Sequence, residues 1–355
     1  MDEYVLLNLV ILKLLNYKNF TMRITTRLAL AISTAFLYNS ISVAQPLNLS
    51  TKAEQTQFLE TGRYEEVAQL CKNFAVTFPK QVRCFAFCTS PEGRTLWALA
   101  ANAQGNTTAE LAHQAKLPVT LFQGGIHAGE IDGKDAGFLV LRELLQKPGK
   151  DNPLKKQVML FVPVFNVDGH ERFKAFNRPN QRGPKEMGWR TTAQNFNLNR
   201  DYAKADTPEM QAMLALVNLW DPLFYVDLHV TDGAKFQHDI SVQIEPIFAG
   251  DTKLRAISKQ YQDTMMEDLK KTGSMPLPYY PSFIESDNPA SGFADSVSPP
   301  RFSTGYFYLR NRFGVLVETH SWKTYPVRVS ATAETIRSTL AQVAVNGAQW
   351  QAATE

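Results

Sequence analysis

Four short segments carry residues that could do chemistry together. The first is Gly124-Gly125-Ile126-His127-Ala128-Gly129-Glu130, where an imidazole and a carboxylate stand three residues apart. A buried-looking run, Leu117–Phe122, leads into it. At a strand end followed by a helix start, both groups can face one ion, and the glycines let the backbone turn sharply off a sheet. The second is Phe224-Tyr225-Val226-Asp227-Leu228-His229, an apolar run that delivers a second histidine. Two imidazoles and a carboxylate are the ligand set of a catalytic zinc site with one position left for water. The third, Val315-Leu316-Val317-Glu318, ends a β-branched run in a carboxylate, which beside a metal can accept a proton from water. The fourth runs from Trp189-Arg190 to Asn197-Leu198-Asn199-Arg200. Arginine and asparagine suit a carboxylate, because the guanidinium fork binds it with two parallel hydrogen bonds.

These segments need a scaffold. Strand-like runs at Val82–Phe87, Leu96–Ala101, Leu117–Phe122, Gln157–Val164, Leu223–Leu228 and Val315–Val317 alternate with helical stretches. The helices are expected at 53–76, Asp135–Leu145, Thr207–Trp220, Lys253–Lys271 and Ala331–Ala344. Thr207 is the expected N-cap before Pro208. Such alternation predicts an α/β fold: a mixed, mostly parallel twisted sheet with helices on both faces. In open α/β sheets, sites gather at the carboxyl ends of strands, where these segments fall.

The order Gly-Gly-x-His-x-x-Glu, Asn166 to Gly169, Asn199-Arg200, strand-His229 and strand-Glu318 resembles the M14 zinc carboxypeptidases. The likeness covers roughly residues 80–350. It implies that His127, Glu130 and His229 hold one zinc ion. It implies that Glu318 is the general base and later proton donor, and that Asn199 and Arg200 bind the substrate's terminal carboxylate. Arg190 is the candidate for stabilising the oxyanion. Tyr306, with Tyr308 as the alternative, is the candidate for closing over substrate. Asn197 departs from the pattern: many members have there an aspartate that supports the first histidine ligand, and an amide raises ligand basicity less.

The implied activity is zinc-dependent removal of C-terminal amino acids from peptides. The substrate would be a peptide, or a peptidoglycan peptide, with a free C-terminal carboxylate. A cell-wall peptide amidase or an N-acyl amino acid deacylase would use the same site, and a non-catalytic binding module is the reading from another class.

Length and composition set bounds. The chain has 355 residues, 44% hydrophobic and 20% charged, and a net charge of +3. It can bury a full core, and it shows no concentrated basic face for nucleic acid. Residues 1–44 read as an upstream extension and a signal peptide. Met22–Arg27 is a basic start, Leu28 to about Leu37 an apolar stretch, and Ser42-Val43-Ala44 a cleavage site. The expected product is exported, periplasmic or secreted, with no stable membrane span. Residues 45–355 would form a single catalytic domain, with no long inhibitory segment between 45 and 75. Cys71, Cys84 and Cys88 permit one disulfide in an oxidising compartment, with the pairing left open.

Overall fold

The computed structural model describes residues 47–146, 149–233 and 235–355. The expected targeting segment, residues 1–44, lies outside the described residues. Residues 48–355 pack as one compact unit.

Eight strands form the main sheet: β1 (Val82–Thr89), β2 (Thr95–Ala101), β3 (Val119–Gly124), β4 (Val158–Val162), β5 (Phe224–Val230), β6 (Ile240–Glu245), β7 (Pro276–Leu277) and β10 (Phe313–Thr319). Between β7 and β10, β8 (Ser282–Phe283) and β9 (Phe293–Ala294) pair separately. The sheet order is β1-β2-β4-β3-β5-β10-β6-β7. The central block β4-β3-β5-β10 is parallel, and β6 adds antiparallel to β10. The expected mixed, mostly parallel sheet is the one observed.

Alternation along the strands divides the layers. Successive side chains point to opposite faces, so Tyr225, Asp227 and His229 share one face and Phe224, Val226 and Leu228 the other. On the second face Phe224 packs against Tyr261 and Trp350, from the helices Thr252–Lys271 and Tyr325–Thr354. The helix Tyr325–Thr354 also lies along Asp132–Gln146. On the first face Phe307 of the short helix Ser303–Tyr308 stacks on Tyr225, with centroids 4.1 Å apart.

Local signals explain the element ends. Thr207 caps the helix Pro208–Trp220 by accepting from the Met210 N–H at 3.2 Å. Gly125 leaves β3 with φ of 61°, and a Cβ on Gly124 would sit 2.5 Å from the Pro163 carbonyl oxygen. Glycine is therefore required at both positions. Cys71 pairs with Cys84, tying the helix Tyr64–Thr77 to β1.

The helix expected over 53–76 is two helices, Lys52–Gln55 and Tyr64–Thr77. Thr51 and Glu54 close a capping box on the first, and Gln57 and Phe58 take positive φ. The linking chain is held instead by a buried contact, Thr61 Oγ1 to Asp135 at 2.7 Å. Strand β6 was not anticipated, although Ile240-Ser-Val-Gln-Ile-Glu245 alternates as a strand should.

Candidate metal centre and cleft

The site lies at the carboxyl ends of three neighbouring parallel strands. β3 runs through the glycine turn to His127 and Glu130, while β5 ends near His229 and β10 near Glu318. Register places His229 directly beside Glu318, and Glu318 beside Ser241 of β6. All four groups named for the metal chemistry are buried.

Glu130 is the centre of the arrangement. Its Oε1 lies 3.0 Å from His127 Nδ1 and its Oε2 2.9 Å from His229 Nδ1. Oε2 also accepts from the Val230 N–H at 3.1 Å. One ligand atom from each of His127, Glu130 and His229 lies within 4.8 Å of the others. Both imidazoles thus present the same nitrogen to one point, from buried positions, with a carboxylate as the third donor. The set fits a zinc ion.

Burial and neighbouring charges shift each of these groups. Burial alone would raise the Glu130 carboxyl, but Arg178 and the two imidazoles outweigh it and hold it well below the usual range. Burial lowers His127. At His229 burial is outweighed by the carboxylates of Asp227, Glu130 and Glu318, which push the imidazole well up. Burial raises Glu318 to about 8, with Glu130 and Asp232 adding to the rise and His229 and Arg178 opposing it. Glu318 Oε2 has no hydrogen-bond partner among the described residues. Two buried carboxylates and two imidazoles facing one another, with one carboxylate oxygen unpartnered, are a donor set that suits a divalent cation.

A cleft of about 410 Å³ opens beside these groups. Arg190, Asn199 and Arg200 line it together with His127, Glu130 and Glu318. Arg200 rests on the Phe302 ring, 4.3 Å from its centroid, and donates to the Asn199 carbonyl at 2.6 Å. Asn199 Oδ1 is buried and has no hydrogen-bond partner among the described residues. Arg190 reaches within 3.5 Å of Glu130 Oε1.

Tyr306 is not brought to the cleft. It packs against Tyr202 and Phe307, and its hydroxyl accepts from Arg310 at 3.3 Å. The helix Ser303–Tyr308 turns Ser303 and Thr304 to the cleft, which points Tyr306 and Tyr308 elsewhere. Tyr280 lines the cleft instead, and the Glu318 carboxylate, together with burial, raises its phenol.

Sequence reasoning missed three further groups. Arg178 donates to Glu130 Oε1 at 2.6 Å and to the carbonyls of Val230 and Thr231, and nothing in Asn177-Arg178-Pro179 announces it. Tyr280 sits in a loop with no pattern to single it out. Asp227 lies 3.0 Å from His229 Nε2. It was legible: an ionisable residue in an apolar strand, two positions before His229, must share its face.

Residues 67–292 match the family model described as zinc carboxypeptidase, peptidase M14. Carboxypeptidase D of Drosophila melanogaster is 23% identical over 181 residues, 46% of this chain. The match spans 12% of that relative's length. Among solved structures, a putative carboxypeptidase A from Shewanella denitrificans is similar with a TM-score of 0.60 at 15% identity, covering 81% of this chain and 71% of that one. Carboxypeptidase A from Helicoverpa armigera gives 0.56 at 17%, over 83% and 75%. At these identities the structures speak to the fold, which is shared. Among the described residues no helix is long and apolar enough to cross a membrane. With more than half its length matched, the chain belongs to the M14 zinc carboxypeptidase family of zinc-dependent hydrolases, and its His127–Glu130–His229 group is one that could bind the metal.

Proposed function

We propose that this chain removes the C-terminal residue of a peptide, and the observation that carries the reading is the convergence of His127, Glu130 and His229 beside Glu318 at one end of the cleft. When bound by the first three, zinc supplies Lewis acidity toward the scissile carbonyl and toward water. Glu318 accepts the proton of the attacking water and later delivers it to the leaving amine. Burial raises the Glu318 carboxyl, and the adjacent cation would oppose that rise, a balance that suits a group which must both take and give a proton. Arg200 and Asn199 hold the terminal carboxylate, which limits cleavage to the chain end. Arg190 stabilises the developing oxyanion, worth roughly 3–4 kcal/mol for a well-placed donor.

A second substrate is favoured by a particular observation. Gln243 lines the cleft and donates to Asp295 Oδ1 at 2.8 Å, so this wall is polar. A peptidoglycan peptide ending in a polar, amine-bearing residue would suit it. Export is part of the same reading, with a signal peptide starting at Met22 and cleaved near Ala44. The Cys71–Cys84 disulfide supports it, because such bonds persist in oxidising compartments.

The test uses the purified chain with blocked dipeptides, muropeptides and their C-terminal amides. Expected are about one zinc per chain, cleavage of free-carboxylate substrates, loss on chelation and recovery on adding zinc. Equal cleavage of the amides would overturn the carboxylate reading, and chelator-resistant activity the metal reading.

A further inference from the structure

The two imidazoles that face Glu130 are backed unequally. Each turns Nδ1 inward, so each leaves Nε2 as its outer nitrogen. Outside His127, Nε2 faces the amide oxygen of Asn197 at 3.2 Å. That oxygen is shared, because it also accepts the Asn199 backbone N–H at 3.0 Å. Outside His229, Nε2 lies 3.0 Å from Asp227 Oδ1, a charge contact rather than an aligned hydrogen bond.

Asp227 is fully buried and fixed at both oxygens. Gln123 Nε2 donates to Oδ1 at 2.9 Å, and Ser303 Oγ donates to Oδ2 at 2.6 Å. Gln123 Oε1 accepts in turn from the Tyr202 and Tyr225 hydroxyls. Register explains the placement: Gln123, Asp227 and Leu316 form one row across β3, β5 and β10, directly beneath the row of His229 and Glu318.

We propose that Asp227 is the positioning residue that sets zinc affinity, acting through His229, and that Asn197 contributes the smaller share through His127. The inference rests on the reading that zinc sits among His127, Glu130 and His229. A negative charge beside the outer nitrogen favours the proton on that nitrogen, leaves the inner lone pair for the metal and raises ligand basicity. The Asp227 and Asn197 oxygens are each shared with one other donor, so the difference lies in charge, and a neutral amide oxygen does this less. Loss of such a partner typically weakens metal binding about 10–100-fold.

The experiment is a zinc competition titration of the full chain against a chromophoric chelator. Asp227→Asn keeps the side chain's size and is expected to weaken zinc binding about 10–100-fold, with Asn197→Ala changing it by a smaller factor. Adding Asn197→Asp to the Asp227→Asn chain returns a carboxylate to the other imidazole and is expected to recover part of the loss, which a merely structural defect would not allow. Unchanged affinity in Asp227→Asn, a larger loss in Asn197→Ala, or no recovery in the double variant would overturn the proposal. A parent chain that binds no zinc would instead overturn the underlying metal reading.

Discussion

Two buried clusters of charge lie on either side of residues 130–135, and they are built differently. In the first, Asp132 meets Arg328 Nε at 2.9 Å and accepts from Thr319 Oγ1 at 2.7 Å. Asp135 is met by Lys134, Thr61 and Tyr325, and Lys134 also pairs with Glu66. Arg328 spends its remaining donors on the carbonyls of Arg182, Gly183 and Lys323. Anions here are answered by cations and hydroxyls from the chain itself. The second cluster gathers Glu130 and Glu318 around two imidazoles and leaves Glu318 Oε2 with neither a hydrogen bond nor an ion pair among the described residues, whereas Asp135 Oδ1, likewise without a hydrogen bond, faces the Lys134 ammonium at 3.0 Å. Burying charge is costly unless it is paired, so a closed cluster builds framework, and an open one in a cleft marks where a ligand belongs.

Breaking each cluster should therefore read out differently. The largest effect is expected on the open side: Glu318→Gln should keep its zinc but lower kcat about 10²–10⁴-fold, measured with a blocked dipeptide beside metal analysis. A variant that turns over normally would remove Glu318 from the chemistry. On the closed side, Lys134→Met should cost about 3–5 kcal/mol in denaturant unfolding, because it strands buried carboxylates. Its kcat per folded molecule should stay near that of the parent. Arg200→Met should act on the cleft alone, lowering kcat/KM roughly 10–100-fold through a lost charged contact of about 1.5–3 kcal/mol. Its unfolding midpoint should not move.

The most gradual effect is a pH dependence beside the closed cluster. Burial, with Lys134 nearby, lowers His170 to about 4, and its Nε2 faces the Gly62 carbonyl at 3.1 Å. The unfolded chain, with histidine near its usual 6.5, then binds more protons than the folded one between those values. Stability should fall as pH drops from about 6.5 toward 4, by at most about 1.4 kcal/mol per unit for one group. His170→Gln should flatten that part of the unfolding-midpoint curve.

Most of the fold was legible because its strands are short apolar runs and its helices keep a regular apolar face. The site was legible where chemistry and position coincide in one segment, as at His127-x-x-Glu130 and at the strand ends His229 and Glu318. It was not legible where a group arrives by tertiary packing. Arg178 and Tyr280 reach the site from irregular chain, and Tyr306 looked suitable only because the short helix that turns it away was not foreseen. Lys134 and Asp135 belong to an expected helix, yet their partners Thr61 and Glu66 come from a distant stretch read as one continuous helix.

His229 and Glu318 are paired in register on adjacent parallel strands, so their separation is fixed by the strand spacing of about 4.8 Å, and His127 and Glu130 join them from the glycine turn after β3. The stretch from β7 to β10 supplies Tyr280 and Asp295 to the rim and carries none of His127, Glu130, His229 and Glu318, but its Ser303 reaches back to hold Asp227 behind His229. A change in this part of the rim is thereby free to alter the cleft wall only within the limits set by the Ser303–Asp227 contact.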